Sequence, residues 1–320
     1  MAELQRGVFT LSLDFELAWG SRDLVEDSRA LEDLARRTRD VVFPRLLRML
    51  DRHRVVATWA TVGNLFLDGT PPGPLHPDLT PPRHAWRPDW LASIPRGSES
   101  EHPAYYGRSL VLRLRDAGQE IGSHSFTHPV FGDPGCSRAC AESELALCVR
   151  EAEAIGVRMV SFVFPRNVAG HLDLLPKYGF RVWRGLEPTW FRDPRVPKAV
   201  SRIGHLAEVA VGRAAPTVSP TFADGLWNVP ASNSILPIDG VRRLIPLRQR
   251  VLRATRGIDA AARARRVSHL YFHPINLASA PDPMLDAVEA VVRHAAAARD
   301  AGRIDVLSMG QIADRLTTPA

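Results

Sequence analysis

The sequence predicts an α/β fold built on a parallel sheet that closes into a barrel or a deformed barrel. Short apolar runs bounded by turn residues recur along the chain and alternate with segments of helical periodicity. These runs show little polar–apolar alternation, which indicates strands buried on both faces, as in a parallel sheet. About seven or eight such strand–helix units favour a barrel over an open sheet.

Eight segments have the composition of buried strands. In chain order they are residues 7–15, 55–63, 119–125, 157–165, 180–185, 225–232, 267–274 and 304–309.

Helical periodicity or composition marks the connections between these strands. Residues 26–53 predict a helix that Pro44 kinks or divides, because proline cannot continue the backbone hydrogen-bond ladder. A second helix is expected over residues 137–155, with Ser137 as its N-cap. A short helix over 171–179, a longer one over 283–301 and a C-terminal helix complete the pattern.

We expect a single catalytic domain over residues 1–320, with two segments that break the strand–helix rhythm. Residues 68–108 are rich in proline, tryptophan and tyrosine and follow a strand, so they predict either an ordered lid or a loop that packs on the side of the barrel. Residues 188–224 have little periodicity, and no element is assigned to them.

Charge and composition narrow the classes of protein. The formal net charge is +6, but no dense basic run with interleaved aromatics is present, so nucleic-acid binding is disfavoured. A solvated basic face is the preferred interpretation, and an anionic ligand or a nearby anionic membrane surface is the alternative. No apolar run approaches the length of a membrane span, and the first residues lack a signal pattern, so a cytoplasmic location without membrane insertion is expected.

The three cysteines, Cys136, Cys140 and Cys148, lie close together in the sequence. Their odd number argues against a disulfide framework. A mixed cysteine–histidine zinc site is an alternative, but no second pair stands at zinc-finger spacing, so free thiols along an amphipathic helix are preferred.

Polar residues cluster where the predicted strands end. They are Asp14 and Glu16 after the first strand, His124 and His128 after the third, Arg166 and Asn167 after the fourth, and His273 after the seventh. The carboxyl ends of parallel barrel strands form one mouth, where catalytic residues collect. We therefore expect these side chains to form a single site.

These residue types suit a metal-dependent hydrolase. His124 and His128, four apart, would share a metal if they lay on one face of a helical turn, and a carboxylate would leave open positions for water and substrate. Asp14 and Glu16 alternate along a strand and can face the same side. Arg166 could orient the other carboxylate through a bidentate contact, and His273 could protonate a leaving amine. Taken alone, each of these residues also has an ordinary structural interpretation.

Four motifs resemble those of the polysaccharide deacetylase family, also called the NodB-homology group or carbohydrate esterase family four. "GQEIGSHSFTHP" (118–129) resembles the second motif of the family, Gly-x-Glu-Ile-Gly-x-His-[Ser/Thr]-x-x-His-Pro, and is the most specific. "LSLDFE", "FVFPRN" and "LYFHP" resemble the first, third and last motifs. Their order and spacing agree over roughly residues 8 to 275.

The resemblance implies a deformed (β/α)7 TIM-like barrel and metal-dependent removal of an acetyl group, most simply an N-acetyl group, from a sugar or glycoconjugate. It implies His124 and His128 as metal ligands, Asp14 as general base, Arg166 as its orienting partner and His273 as general acid. Phe15 stands where the usual first motif has a second aspartate, so Glu16 is expected as the third ligand, with exchanged roles for Asp14 and Glu16 as the alternative. One divalent ion is implied, preferably zinc, with cobalt, nickel, manganese or iron as alternatives.

The buttressing fourth motif of the family is matched poorly by "VWRGLEPTW" (182–190). Two other functions stay open, the first because some relatives with the same barrel have it and the second because Phe15 departs from the usual first motif. One is hydrolysis of another non-peptide C–N bond, such as that of a cyclic amide. The other is a catalytically silent barrel that only binds carbohydrate. Oligomeric state is left open.

Overall fold

The computed structural model describes residues 4–24, 27–187 and 209–317. Its strands are β1 (Gly7–Phe15), β2 (Thr58–Thr61), β3 (Gly69–Thr70), β4 (Gly97–Ser98), β5 (Glu120–Ser123), β6 (Ser161–Val163), β7 (Val182–Arg184), β8 (Thr221–Ala223), β9 (Leu226–Asn228), β10 (Asn233–Ser234), β11 (Val267–Phe272) and β12 (Ile304–Val306). Its α-helices are α1 (Ser28–Arg37), α2 (Phe43–Arg52), α3 (Arg108–Asp116), α4 (Arg138–Glu153), α5 (Leu247–Ala264), α6 (Pro281–Asp300) and α7 (Met309–Thr317). Short 3₁₀ turns cover Gly63–Phe66, Pro165–Asn167, Leu172–Tyr178, Gly240–Leu244 and Pro274–Leu277.

The main sheet has the strand order β10-β11-β1-β2-β5-β6-β7-β9-β8, with β12 pairing to β1. Every ladder in it is parallel except the β8–β9 pair. This sheet, flanked by helices, is the deformed parallel barrel that the sequence predicts. Each of the eight predicted strand segments contains one of its strands.

The predicted first long helix is divided near Pro44, as expected. α1 runs into a π-helical segment, Thr38–Val42, and α2 begins at Phe43 with Pro44 in its first turn. Asp27 caps α1 by accepting hydrogen bonds from the backbone N–H groups of Arg29 and Ala30, and the predicted start at Glu26 lies outside the described residues. Ser137 caps α4 as predicted, because its hydroxyl accepts from the Cys140 N–H.

Alternation along β1 separates two buried layers. Phe9, Leu11, Leu13 and Phe15 belong to the larger core cluster beneath the surrounding helices. Val8 belongs to a second cluster, inside the barrel, that also contains residues of β2, β6, β7 and β11 and the apolar face of α7. Because side chains alternate along a strand, Thr10, Ser12 and Asp14 share the interior face with Val8. The interior is apolar where α7 covers one end and becomes polar toward the carboxyl ends of the strands.

Glu120 fixes α7 to the base of the barrel. Its carboxylate accepts hydrogen bonds from the Thr58 hydroxyl at 3.0 Å, the Ser161 hydroxyl at 2.8 Å, the Ser308 hydroxyl and the Gly310 N–H at 2.8 Å. These donors lie on β2, at the start of β6 and at the beginning of α7. One carboxylate therefore joins the strands to the helix that closes this end.

Several elements were not predicted. The strands β3, β4, β8 and β10 have only two or three residues each, too few positions to show a period. The helices α3 and α5 were not predicted either. Of the unassigned segment 188–224, residues 188–208 lie outside the described residues.

Candidate active site

The residues expected at the mouth come from neighbouring strand ends, as predicted. Asp14 is the penultimate residue of β1, His124 follows β5, and His273 follows β11. Asp14, Glu16, His124 and His128 are each no more than 3% exposed. The parallel ladders β11–β1–β2–β5 place these ends side by side, which is why residues far apart in sequence meet here.

Asp14 is held by Arg184, not by Arg166. Arg184 Nη1 donates to Asp14 Oδ1 at 2.5 Å and Nη2 donates to Asp14 Oδ2 at 2.7 Å, so the pair is bidentate. Burial alone would raise the pKa of Asp14, but Arg184 and His273 outweigh it and hold that pKa below the usual value. Asp14 is therefore ionised at neutral pH, as a general base must be.

The expected contact between Arg166 and Asp14 is wrong. Arg166 pairs with Asp23, and its guanidinium carbon lies 4.9 Å from the centroid of the Trp86 ring. The physical reason is local: Arg166 and Asn167 both adopt left-handed conformations, at φ values of 55° and 56°. The amide of Asn167 reaches inward and accepts from Arg184 Nη2 at 3.0 Å, while Arg166 turns toward the rim.

A buried polar chain supports Arg184 from below. Arg184 Nη1 donates to the Ser12 hydroxyl at 2.9 Å, and Ser12 Oγ lies 2.8 Å from His269 Nε2. His269 Nδ1 donates to the Val229 carbonyl at 3.1 Å, so Nε2 is the unprotonated nitrogen and accepts from Ser12. Burial and the charge of Arg184 lower the pKa of His269 to about 3, which keeps the ring neutral.

Sequence reasoning missed Arg184, His269 and Ser12. The alternation of side chains along a strand could have identified them. Arg184 lies on the same strand face as Val182, and His269 lies on the same face as His273. Reading each strand back from its catalytic end in steps of two would have marked these positions as interior.

Glu16, His124 and His128 form a compact group of metal-ligating side chains. One ligand atom from each lies within 4.8 Å of the others. Glu16 Oε1 is 3.0 Å from His124 Nε2 and 3.5 Å from His128 Nε2. Burial would raise the pKa of Glu16, but His273 and His128 outweigh it and hold that pKa well below its usual value. Asp14 is not in this group, which places Glu16 rather than Asp14 beside both histidines.

The hydrogen bonding of His124 fits a metal ligand. Its Nδ1 lies 2.7 Å from the Val163 carbonyl, which can only accept, so Nδ1 carries the proton. In the neutral ring Nε2 then presents a lone pair to the Glu16 carboxylate, another acceptor. A cation shared by Glu16, His124 and His128 removes that repulsion, so the donor set suits a divalent metal such as zinc.

The loop that carries both histidines is not helical, contrary to the expectation for their i, i+4 spacing. No helix is assigned to residues 124–128, and Ser125 and His128 have φ values of 62°. The Ser125 hydroxyl accepts from the His128 N–H at 3.1 Å. A tight turn therefore brings the two rings to a centroid separation of 4.9 Å.

Glu144 of α4 holds this turn from one side. Its carboxylate accepts from the Phe126 and Thr127 N–H groups at 2.7 Å each and from the Thr127 hydroxyl. Burial raises the pKa of Glu144 to about 7, although the same donors act in the opposite direction. On the other side, the Thr127 carbonyl accepts from Trp90 Nε1 at 3.1 Å and from Arg22 at 3.5 Å.

Trp90 belongs to the predicted insertion 68–108, which is ordered in the structure. β3 and β4 pair antiparallel and close its base. His84 and Trp90 are buried, and His84 Nε2 accepts from the Val130 N–H at 3.3 Å. The insertion thus packs against the loop that carries His128, beside the mouth, while Trp86 stays 47% exposed.

His273 lies across the mouth from the histidine loop and is one-third exposed. Its Nε2 is 3.3 Å from Glu16 Oε1 and 3.5 Å from Asp14 Oδ2. Burial alone would lower the pKa of His273, but the carboxylates of Glu16 and Asp14 raise it to about 9. The ring therefore carries a proton at neutral pH and can act as an acid.

The cysteines are buried free thiols, as preferred from the sequence. Cys136 and Cys140 have their sulfurs 3.8 Å apart. Within the described residues, neither group of side chains able to hold a metal ion contains a cysteine. The same part of the chain has no helix long and apolar enough to cross a bilayer.

Residues 33–169 match the family model described as "Polysaccharide deacetylase". The match confirms the resemblance seen in the motifs and contains His124, His128 and Arg166. Asp14, Glu16, Arg184 and His273 lie outside the matched range. A search of curated proteins found no significant match.

Several solved structures share the fold over almost the whole chain. A protein from Mycobacterium smegmatis described as a polysaccharide deacetylase has a TM-score of 0.62 at 16% identity, covering 99% of this chain and 92% of its own. One from Pseudomonas aeruginosa, described likewise, has a TM-score of 0.58 at 11% identity, covering 96% and 90%. Puue allantoinase has a TM-score of 0.57 at 11% identity, covering 96% and 89%. At these identities the likeness establishes the deformed barrel fold.

Proposed function

We propose that this protein is a metal-dependent hydrolase that removes an acetyl group, preferentially an N-acetyl group, from a sugar or glycoconjugate. The observation that carries the proposal is the assembly of an ionised base, a protonated acid and a set of metal ligands in one mouth. Asp14 is held by Arg184, His273 lies within 3.5 Å of it, and Glu16, His124 and His128 lie alongside. The family match over residues 33–169 supports the acetyl-carbohydrate substrate class.

Glu16, His124 and His128 are the proposed metal ligands, and zinc is the preferred ion, with cobalt, nickel, manganese and iron as alternatives. When bound, the ion would polarise the acetyl carbonyl and make a water molecule more acidic. The tautomer of His124, fixed by Val163, keeps Nε2 free for this task.

The remaining groups move protons. Asp14, ionised and oriented by Arg184, accepts a proton from the attacking water. His273, protonated at neutral pH because Asp14 and Glu16 face it, donates a proton to the leaving amine. The two groups thus have opposite charge states at the same pH, which supports the base role proposed for Asp14 and the acid role proposed for His273.

The test is acetate release from a panel of N- and O-acetylated sugars by protein loaded in turn with zinc, cobalt, nickel and manganese. We expect release by the wild type and a loss of at least about a hundredfold in Asp14→Asn, because the base is removed. Asp173→Asn, which changes an exposed aspartate, is the matched control and should release acetate at the wild-type rate.

Two outcomes would contradict the proposal. Asp14→Asn that releases acetate like Asp173→Asn would remove Asp14 from the reaction. Ring opening of a cyclic amide such as allantoin without acetate release would favour the alternative of another C–N hydrolase, to which the fold likeness with Puue allantoinase draws attention.

A further inference from the structure

Arg166 lies on the rim of the mouth without a task in the proposed reaction. It follows β6, its neighbour Asn167 contacts Arg184, and Arg166 itself lies close enough to Glu16 for that carboxylate to act on its pKa. Its side chain is 29% exposed, and its single hydrogen bond in the described structure goes to Asp23. The remaining guanidinium N–H donors are therefore open to solvent or to a ligand.

The guanidinium is held in place rather than free to move. Asp23 is fully buried and binds one nitrogen, and the exposed Trp86 ring lies beneath the guanidinium. Trp86 is in turn fixed by stacking on His84 and by a hydrogen bond to Asp133. An arginine whose orientation is fixed loses less entropy when it binds an oxyanion, because little rotamer freedom remains to be lost.

The backbone at Arg166 carries a cost that suits a ligand site. Arg166 and Asn167 are consecutive non-glycine residues in the left-handed region. Backbone strain of this kind collects at functional sites.

Two further arginines lie in this region. Arg87 directly follows Trp86, and its backbone N–H donates to the His84 carbonyl at 3.0 Å. Burial and the charges of Arg87 and Arg166 lower the pKa of Arg22 to about 10, although Glu144 acts in the opposite direction. Among the described residues, the contact with Asp23 is the only ion pair that any of these three arginines makes. Asp23 is thus the one carboxylate in contact with these arginines, while Glu16 acts on Arg166 and Glu144 acts on Arg22 without contact. A bound oxyanion would contact the guanidinium of Arg166 directly.

We propose that Arg166, supported by Asp23 and Trp86 and assisted by Arg87, is an oxyanion subsite that selects substrates carrying a phosphate or carboxylate group beside the acetylated sugar. This rests on the proposed function, which supplies the acetyl sugar, and it narrows the substrate class to anionic glycoconjugates. Guanidinium binds both kinds of oxyanion through paired N–H donors, so phosphate and carboxylate are separate arms of the test.

The test is calorimetric binding to the metal-loaded protein. The ligands are N-acetylglucosamine, N-acetylglucosamine 1-phosphate and N-acetylmuramic acid. We expect at least one anionic ligand to bind the wild type about tenfold or more tightly than the neutral sugar, as a charge-assisted contact allows. Arg166→Gln should abolish that ratio and Arg87→Gln should reduce it. The anionic ligand that binds more tightly shows whether the subsite takes a phosphate or a carboxylate group.

The control is Arg181→Gln, which removes a surface arginine paired with one carboxylate, Asp314, near α7. It should leave the ratio unchanged. Equal affinities for all three ligands in the wild type, or a preference that survives Arg166→Gln, would overturn the subsite. Binding and acetate release are measured separately, so an anion preference without acetate release would contradict the proposed function alone, and acetate release without the preference would contradict the subsite alone.

Discussion

Two arginines at the ends of neighbouring strands, Arg166 after β6 and Arg184 at the end of β7, have different partners. Arg184 is fully buried, and its terminal nitrogens contact Asp14, Ser12 and Asn167. Arg166 is partly exposed and contacts Asp23. Asp14, the proposed base, is therefore oriented from β7, and the arginine after β6 is available at the rim.

Arg184→Gln should lower the rate of acetate release at saturating substrate by about 10² or more, because Asp14 loses the charge that keeps it ionised and aligned. The acid limb of the pH–rate profile should move to higher pH, since Arg184 lowers the pKa of Asp14. Metal content should stay at the wild-type level. Arg184→Lys retains the charge without the bidentate contact and should lie between wild type and Arg184→Gln.

The comparison variant is Arg166→Gln, for which we expect the larger change in KM. A turnover rate that falls more in Arg166→Gln than in Arg184→Gln would contradict the assignment of Arg184 to the base.

His269 makes stability depend on pH. Its pKa of about 3 in the folded protein lies below the usual value of 6.5, so the unfolded chain binds more protons between these values. Its contribution is present above pH 6.5 and is lost as the pH falls toward 3. Between pH 7 and pH 5 the free energy of unfolding should fall by about 2 kcal/mol through this group alone.

Urea unfolding of His269→Gln at both pH values measures this effect, because glutamine can accept from Ser12 but does not titrate. In this variant the fall in the free energy of unfolding between pH 7 and pH 5 should be about 2 kcal/mol smaller than in the wild type. The control is His294→Gln on α6. Its free energy of unfolding should decrease between pH 7 and pH 5 by as much as that of the wild type. Equal pH dependence in His269→Gln and wild type would contradict the linkage.

At the scale of elements, the histidine loop is clamped between α4 and the insertion. The Glu144 carboxylate accepts hydrogen bonds from the backbone N–H groups of residues 126 and 127, and the Trp90 indole donates one to the Thr127 carbonyl. A loop without helical hydrogen bonds needs such partners, since its buried polar groups would otherwise be unpaired. The clamp thus determines where the two histidine rings lie.

Glu144→Ala should weaken metal binding by about 10- to 100-fold, the range found when groups that orient ligands are lost. It should also lower the free energy of unfolding by about 2 kcal/mol, because two backbone N–H groups and a hydroxyl lose their acceptor. Competition with a chromogenic chelator measures the first effect and urea unfolding the second.

The matched control is Glu142→Ala on the same helix, where the side chain is 44% exposed. It should change neither quantity appreciably. Wild-type metal affinity in Glu144→Ala would show that the loop holds its shape without the clamp.

At the scale of the whole molecule, the two ends of the barrel differ: one is closed by a helix, and the other carries the candidate active site. Glu120 and α7 close the first, and the strand-end residues form the second. This separation follows from the alternation of side chains, which carries one interior face from apolar residues near α7 to Asp14 at the mouth.

Glu120→Ala should therefore lower the free energy of unfolding by about 3 kcal/mol, since four donors lose a buried acceptor. Its metal content should match that of the wild type. Urea unfolding and elemental analysis of the same samples measure both, with Glu153→Ala, an exposed glutamate on α4, as control. Loss of metal together with stability would show that the two ends are not independent.

The sequence was sufficient for the sheet and for most of the mouth, because both depend on local signals. Apolar runs mark the strands, and polar residues directly after them, such as His124 and His273, mark the site. Arg184 could not be assigned from its neighbours, since a lone arginine in a three-residue strand has no distinctive context. The turn at His128 was also missed, because an i, i+4 spacing is shared by helices and by tight turns closed by side chains such as Ser125.

Elemental analysis of metal content is the measurement that tests the central claim most directly. It would compare wild type with Glu16→Gln, His124→Ala and His128→Ala after reloading and exhaustive dialysis. The proposed site predicts about one divalent ion per chain in the wild type and a large loss in each variant. A wild type that takes up no ion, or variants that retain the full amount, would contradict Glu16, His124 and His128 as a metal site.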